Sequence, residues 1–204
     1  MSPQQDNPHR TPEGRFIGYL ESLVPRDTEK DARESEHRAA LATLRRGLGR
    51  PAGTVIEMYR YIGTYLPLEA KPWEEDAYFL VASLYALHPR HWPRQVGSPS
   101  NNLGASFRRL RQAEESMDSL EKRFTALLNA SSETLEHHLR HAISLLRAGE
   151  EPVNYRQLLR DIQNWSRDDR SVQRQWAAAY WNSREISAPA DTDSETATAG
   201  TATK

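Results

Sequence analysis

The stretch NLGASFRRLRQAEESMDSLEKRFTALLNASSETLEHHLRHAISLLRAG (residues 102–149) decides the fold class. Leu103, Phe107 and Leu110 recur at i, i+4, i+7. Leu120, Phe124, Leu127 and Leu128 do so again, and Leu135, Leu139, Ile143 and Leu146 a third time. That is the spacing of one face of an α-helix, and period-2 alternation is absent. Asn101 or Asn102 is placed to cap the first of these helices. Ser131 and Ser132, followed by Glu133 and Leu135, open the third, and Gly149 closes it.

The same period runs outward in both directions. Pro12 and Glu13 open a helix with Phe16, Leu20 and Leu23 on one face, and Pro25 ends it. Residues 27–31 start a long polar helix that turns apolar at Ala40, Leu41, Leu44 and Leu48 and stops at Gly47 and Gly49. Pro51 is expected to start a third helix bearing Val55, Tyr59, Ile62 and Leu66, closed by Pro67. A fourth, after Pro72, carries Leu80, Leu84 and Leu87. On the C-terminal side, Asn154 caps a helix with Tyr155, Leu158, Leu159, Ile162 and Trp165. Asp168 and Asp169 open another with Val172, Trp176 and Tyr180 inward.

The prolines and the Gly-Ser pair of PRHWPRQVGSPSN (89–101) break any helix, so the boundary is placed there. The expectation is an all-α chain of about nine helices. It comprises a flexible N-terminus (1–12), an N-terminal bundle (13–88), a linker (89–101), a C-terminal bundle (102–184) and a disordered, Ala/Thr-rich acidic tail (185–204).

Zero cysteines in 204 residues exclude disulfides, a thiol nucleophile and a cysteine-held metal. Residues 1–15 carry no apolar core, and no run approaches the roughly 18 apolar residues of a membrane span. The expected location is cytoplasmic, with no membrane contact. The net charge of −1 hides a segregation: residues 1–36 and 185–204 each carry −3, leaving +5 between them. Of the 27 basic residues, 23 are arginine. A GC-rich genome produces such a skew without function, so placement carries the argument.

In FRRLR (107–111), Phe107 and Leu110 point inward, which leaves Arg108 and Arg111 on one flank and Arg109 on the other. The nearest acid along the chain is Glu114. Arg123 follows the same logic in EKRF (121–124). His137, Arg140, His141, Ser144 and Arg147 form a polar stripe opposite the leucines of LEHHLRHAISLLR (135–147). Permanently charged bidentate donors on rigid supports suit a phosphate backbone; the rival occupant is an acidic partner protein. His137 and His141 have the spacing of a helical zinc site but lack a third ligand, and Arg140 opposes a cation, so no metal is expected. LRRGLGR (44–50) is no dinucleotide loop, because no strand precedes it and Pro51 lacks an amide. Arg45 and Arg46 instead close a helix, where cations favour the dipole. Trp165, Trp176, Tyr180 and Trp181 read as packing between the last two helices rather than as a base-stacking platform. Trp73 and Trp92, beside prolines, are candidates for contact with a neighbouring subunit. No P-loop, nucleophile elbow or paired metal-ligand cluster is present, so neither an enzyme nor a cofactor is expected.

The succession LRRGLG (44–49), YLP (65–67), NLGASFRRL (102–110), EKRFTALLNAS (121–131), LEHHLRHAISLLR (135–147), VNYRQLLRDIQNW (153–165) and VQRQWAAAYW (172–181) resembles the small subunit of the type I-E CRISPR surveillance complex Cascade, the CasB family. The resemblance spans about residues 13–184. It implies two helical bundles, a second copy paired head to tail, and large and backbone subunits as partners. It also implies a non-catalytic role holding guide RNA and the displaced single DNA strand without reading sequence. By position it carries over to Arg45, Arg46, Arg108, Arg109, Arg111, Arg123 and Arg140. Helical spacing extends the set to Arg38, Arg50, His141 and Arg147. The alternative is an adaptor whose arginines dock partner proteins.

Overall fold

The structure, a computed structural model, describes residues 11–24, 31–92, 101–113 and 117–181. Most of the N-terminal extension, most of the Pro-rich connection and the acidic tail therefore lie outside the described residues. Among the described residues the elements are nine α-helices and no extended strand. They are α1 (Pro12–Ser22), α2 (Asp31–Arg45), α3 (Tyr59–Ile62), α4 (Pro72–Leu87), α5 (Leu103–Ala113), α6 (Met117–Leu128), α7 (Ser132–Ala148), α8 (Tyr155–Gln163) and α9 (Ser171–Trp181).

Local chemistry sets most boundaries. Thr11 caps α1 by accepting the Gly14 N–H at 3.1 Å, with Pro12 in the first turn. Asn102, rather than Asn101, caps α5 by accepting the Ala105 N–H at 3.2 Å. Asn154 caps α8 through the Gln157 N–H. Ser131 occupies the cap of α7 without a side-chain bond to its backbone; its hydroxyl meets that of Thr134.

The third helix departs from expectation. A continuous helix from Pro51 to Leu66 is replaced by a 3-10 turn at Ile56–Met58, the single turn of α3, and a second 3-10 turn at Gly63–Tyr65. Gly53 takes a left-handed conformation (φ 74°), which a helix cannot contain, and the Thr54 N–H folds back to the Pro51 carbonyl. β-Branched residues at 54–56 and Gly63 supply little intrinsic helicity to resist this. Val55, Met58 and Ile62 are buried, while Tyr59, expected inward, is 41% exposed.

α4 is the axis of the molecule. Residues 77–86 are buried on nearly every side except at Leu80, and a helix apolar all round belongs at the centre of a fold. It packs on α2 and α3 from its own half of the chain and on α7 and α8 from the other half. One continuous apolar cluster thus runs from Phe16 and Leu44 through Val81 and Tyr85 to Leu139, Tyr155 and Trp176.

The seam is pinned by polar contacts. The Tyr155 hydroxyl donates to the His88 carbonyl at 2.6 Å, and His88 Nε2 donates to the Glu151 carbonyl at 2.8 Å. Residues 90–92 run beside Val153, whose N–H reaches the Arg90 carbonyl and whose carbonyl accepts from Trp92. Within the second half, α5 lies directly on α9, and Gly104 makes the approach possible. Trp165 and Trp176 pack ring to ring at 5.1 Å and are buried, as is Tyr180. The expected core role of these aromatics holds except for Trp181, which is 41% exposed.

Candidate nucleic-acid interface

The arginines singled out in the sequence divide into those spent on the fold and those left for something else. Arg45 belongs to the first group. Its Nε and Nη2 donate to the Ala86 carbonyl at 3.0 and 2.6 Å, tying the end of α2 to the end of α4. A carbonyl at a helix C-terminus is the electrostatically favoured place for that cation.

Arg109 is also committed to the fold. Its guanidinium lies 3.5 Å from the centroid of the Trp92 ring, while Nε donates to Glu151 at 3.0 Å and Nη2 to Ser106. Burial pushes its pKa down, opposed by the Glu151 carboxylate. This corrects one expectation: Arg109 is not exposed without a counter-ion; Trp92, half-buried, has the Arg109 guanidinium against its ring. Arg108 is half-buried. Arg111 is half-buried as well, with its guanidinium 5.2 Å from the Tyr180 ring centroid. Arg38 is exposed on α2 and paired with Glu34 one turn away.

A second group carries no ion pair among the described residues: Arg46, Arg50, Arg123, Arg140 and Arg147, all exposed. The fold brings three of them onto two touching elements. The turn after α2 reverses through Gly49 (φ 71°), whose N–H donates to Glu136 Oε1 on α7 at 2.9 Å. Arg140, one helical turn beyond Glu136, has its Nη1 3.0 Å from where a Cβ on Gly49 would stand. The turn bearing Arg46 and Arg50 is therefore held against the part of α7 that carries Arg140.

Arg147 lies two helical turns further along the same exposed stripe. His137 and His141 share it with their ring centroids 4.5 Å apart. His138 is half-buried beside them, and burial followed by its two histidine neighbours lowers its pKa. Clustered unpaired guanidiniums with one carboxylate among them leave a positive local field, which attracts polyanions. Arg123 stands apart on α6, beside the buried Phe124.

Other exposed cations lie outside the set expected from sequence. Arg160 on α8 and Arg174 on α9 have no ion pair among the described residues. The amphipathic reading applied to α5 finds Arg174 equally well, since Val172 and Trp176 turn inward. A cavity of about 810 Å³ opens between the 47–58 segment, α4, α7 and α8. Val55, Met58, Phe79 and Trp165 line it, with Asp76, Glu133 and Arg50 also on its wall. Desolvation raises the Asp76 pKa. Among the described residues no three His, Cys, Asp or Glu side chains are grouped to hold a metal ion, and no helix is long and apolar enough to cross a membrane.

Fold and surface together define a small all-α protein that spends part of its arginine on internal ties and presents Arg46, Arg50, Arg123, Arg140 and Arg147 without an ion pair among the described residues. The family profile described as CRISPR-associated protein Cse2 matches residues 40–181, and the chain belongs to that family. It is 31% identical over 172 residues to the CRISPR-associated protein Cse2 of Thermus thermophilus, covering 84% of this chain and 90% of that one.

The crystal structure of a Cse2-family protein from the same organism matches with a TM-score of 0.66 at 32% identity, covering 84% of this chain and 98% of that one. The crystal structure of M. ruber CasB matches with 0.64 at 30% identity, covering 84% and 93%. A chain of a CRISPR RNA-guided surveillance complex shares the fold, with a TM-score of 0.63 at 24% identity over 83% and 91%.

Proposed function

We propose that this chain is the non-catalytic small subunit of a type I-E Cascade complex, where it holds nucleic-acid backbone without reading sequence. Its ligands there are the displaced DNA strand and guide RNA, and its action is to stabilise the R-loop. Family membership supports the CRISPR setting. The observation that carries the binding role is the juxtaposition of Arg46 and Arg50 with Arg140, unpaired and on two elements locked by the Gly49–Glu136 hydrogen bond. A strand displaced by guide pairing needs neutralisation of its phosphates and no base reading, because the guide does the reading. Guanidiniums on rigid supports supply that neutralisation.

In this reading the large subunit, the backbone subunits and a second copy are the protein partners, in the cytoplasm. The 13–88 and 102–184 segments act as two bundles presenting the arginines to one strand.

Binding of single-stranded DNA is expected to fall with salt at a slope near −0.7 per phosphate neutralised in a log–log plot. R46A/R50A/R140A is expected to weaken binding and lower that slope by about two units, with the helical circular dichroism unchanged. Affinity that is flat with salt, or a triple variant indistinguishable from the parent, rules the reading out. Arg109 is a poor probe, since removing it unpairs Glu151 and uncovers Trp92.

The second reading is an adaptor whose arginines dock partner proteins. The exposed Ile56 (69%), Tyr59 (41%) and Trp73 (48%) near the cavity add apolar surface that favours such contacts. Copurification separates the two: an adaptor's triple variant falls out of the assembly, whereas a strand-holder's variant stays in and loses DNA.

A further inference from the structure

We propose that the cavity between the two halves is a docking socket for another protein. A segment of that partner inserts an aromatic or long aliphatic side chain and sets a lysine or arginine against Asp76. That the partner is a fellow subunit of the assembly rests on the function proposed above; the chemistry of the socket does not.

Both halves of the chain build the cavity. Trp73, Asp76, Leu80 and Ser83, at i, i+3, i+7 and i+10, give it one side of α4, and Val55 and Met58 come from the segment before. Leu135 of α7, Ile162 of α8 and Trp165 close it from the second half. Leu80 is the one residue of 77–86 that is not fully buried. The volume of about 810 Å³ falls within the range of about 300–1,000 Å³ that accepts a drug-sized group.

The apolar surface does not stop at the mouth. Trp73 is 48% exposed on the wall. Tyr59, 41% exposed, packs edge-on against Phe79 of the wall with ring centroids 4.9 Å apart. Ile56, beside the wall residue Val55, is 69% exposed. A small molecule filling the cavity leaves these three in water, whereas a protein surface covers them as well. Contiguous exposed apolar surface marks protein contacts, and aromatic side chains are enriched in them.

Charge selects the partner. On the wall, Glu136 accepts the Gly49 N–H and Arg167 pairs with Asp169, which leaves Asp76 and Glu133 against Arg50 alone. Glu133 lies in the first turn of α7, where the helix dipole favours it. Asp76 lies beyond the first turn of α4, and its carboxylate has no hydrogen bond or ion pair among the described residues. Burial alone raises its pKa, with no cation pulling it back. A carboxylate that loses water without a counter-ion is stabilised by a cation arriving with the partner. The same carboxylates repel a phosphate backbone, so nucleic acid is not the occupant.

Two capped dipeptides probe the socket on the full chain, Ac-Trp-Lys-NH2 and Ac-Trp-Glu-NH2, followed through the indole N–H resonances of Trp73 and Trp165. The lysine dipeptide is expected to shift both resonances and to bind about two- to five-fold more tightly than the glutamate one. D76N, at an exposed position, is expected to shrink that preference with the helical dichroism unchanged. Silence of both resonances, equal affinities for the two dipeptides, or a preference undiminished by D76N overturns the socket.

Coexpression with the large and backbone subunits tests the occupant. W73A/D76N is expected to lower the amount of this chain in the purified assembly by about five-fold or more, while oligothymidine binding by the isolated variant is retained. Full incorporation of W73A/D76N overturns a protein occupant. A dimer of the isolated chain that sedimentation shows W73A/D76N to dissolve overturns the choice of partner, since a second copy then fills the socket. If the parent chain itself enters no assembly, the function proposed above falls, and the dipeptides still decide the chemistry of the socket.

Discussion

An ideal Cβ built on Gly104 stands 2.1 Å from the carbonyl oxygen of Trp176 and 2.9 Å from its Cα, both backbone atoms of α9. A flexible side chain could step aside, but a helix backbone cannot, so Gly104→Ala has to separate α5 from α9. The substitution gains about 1 kcal/mol of intrinsic helix propensity. Overpacking a rigid contact costs about 1–3 kcal/mol or more, and Trp176, buried among Trp165 and the cap of α5, has no slack to absorb it. G104A is expected to lose at least ~1 kcal/mol of stability, read as a lower urea midpoint with an unchanged slope. A variant as stable as the parent removes the close approach from the account. The glycine in NLGASFRRL is thus explained by a neighbour 72 residues away. The same distance separates sequence from structure at Arg109: its orientation was legible from Phe107 and Leu110, but its partners Glu151 and Trp92 were not.

At the scale of elements, periodicity located every long helix because the apolar stripe is a local property. It misplaced α3, where Val55, Ile62 and Leu66 keep helical spacing but Gly53 and Gly63 weaken the backbone beneath them. Gly63 gives the opposite case to Gly104. Its backbone is already helical (φ −54°, ψ −37°), and an added Cβ meets nothing within 4 Å. Gly63→Ala is expected to stabilise the protein by roughly 0.5–1 kcal/mol, chiefly by restricting the unfolded chain. A fall in the thermal midpoint contradicts the backbone assigned to α3. The candidate interface was half legible for the same reason. Sequence showed that Arg140 and Arg147 face outward on α7, and that Arg46 and Arg50 flank a glycine turn. That the turn sits on α7 through Gly49 and Glu136 depends on how α2 and α7 pack around α4, which no local pattern records.

At the scale of the molecule, α4 couples the halves, and His88 at its end stands where they meet. The imidazole is buried, with Arg90 and Arg147 close enough to disfavour a second positive charge. Desolvation, then these arginines, lower its pKa below 6.5, against the pull of the Glu151 carbonyl. Between the lowered folded value and the unfolded 6.5, the unfolded chain binds the extra proton. Stability from this group is therefore complete above about pH 6.5 and drains away as pH falls through that window. Asp161, accepting from Trp176 Nε1 at 2.6 Å and Gln157 at 2.8 Å, acts in the opposite sense. Burial raises it to about 6, so its contribution is full below 3.8 and lost as pH rises through 6. Over the acid range the two titrations partly cancel, and replacing one exposes the other. His88→Gln keeps an N–H for the Glu151 carbonyl and deletes the titration. Its unfolding free energy is expected to lose the rise toward pH 6.5 that the lowered His88 pKa imposes and to show the fall imposed by Asp161. Because Tyr155 reaches the His88 carbonyl across the same seam, the loss is expected in both halves at once. Far-UV dichroism and tryptophan fluorescence should give one superimposable transition at every pH. A pH profile of H88Q identical to that of the parent, or two separate transitions, would show that α4 does not carry the coupling.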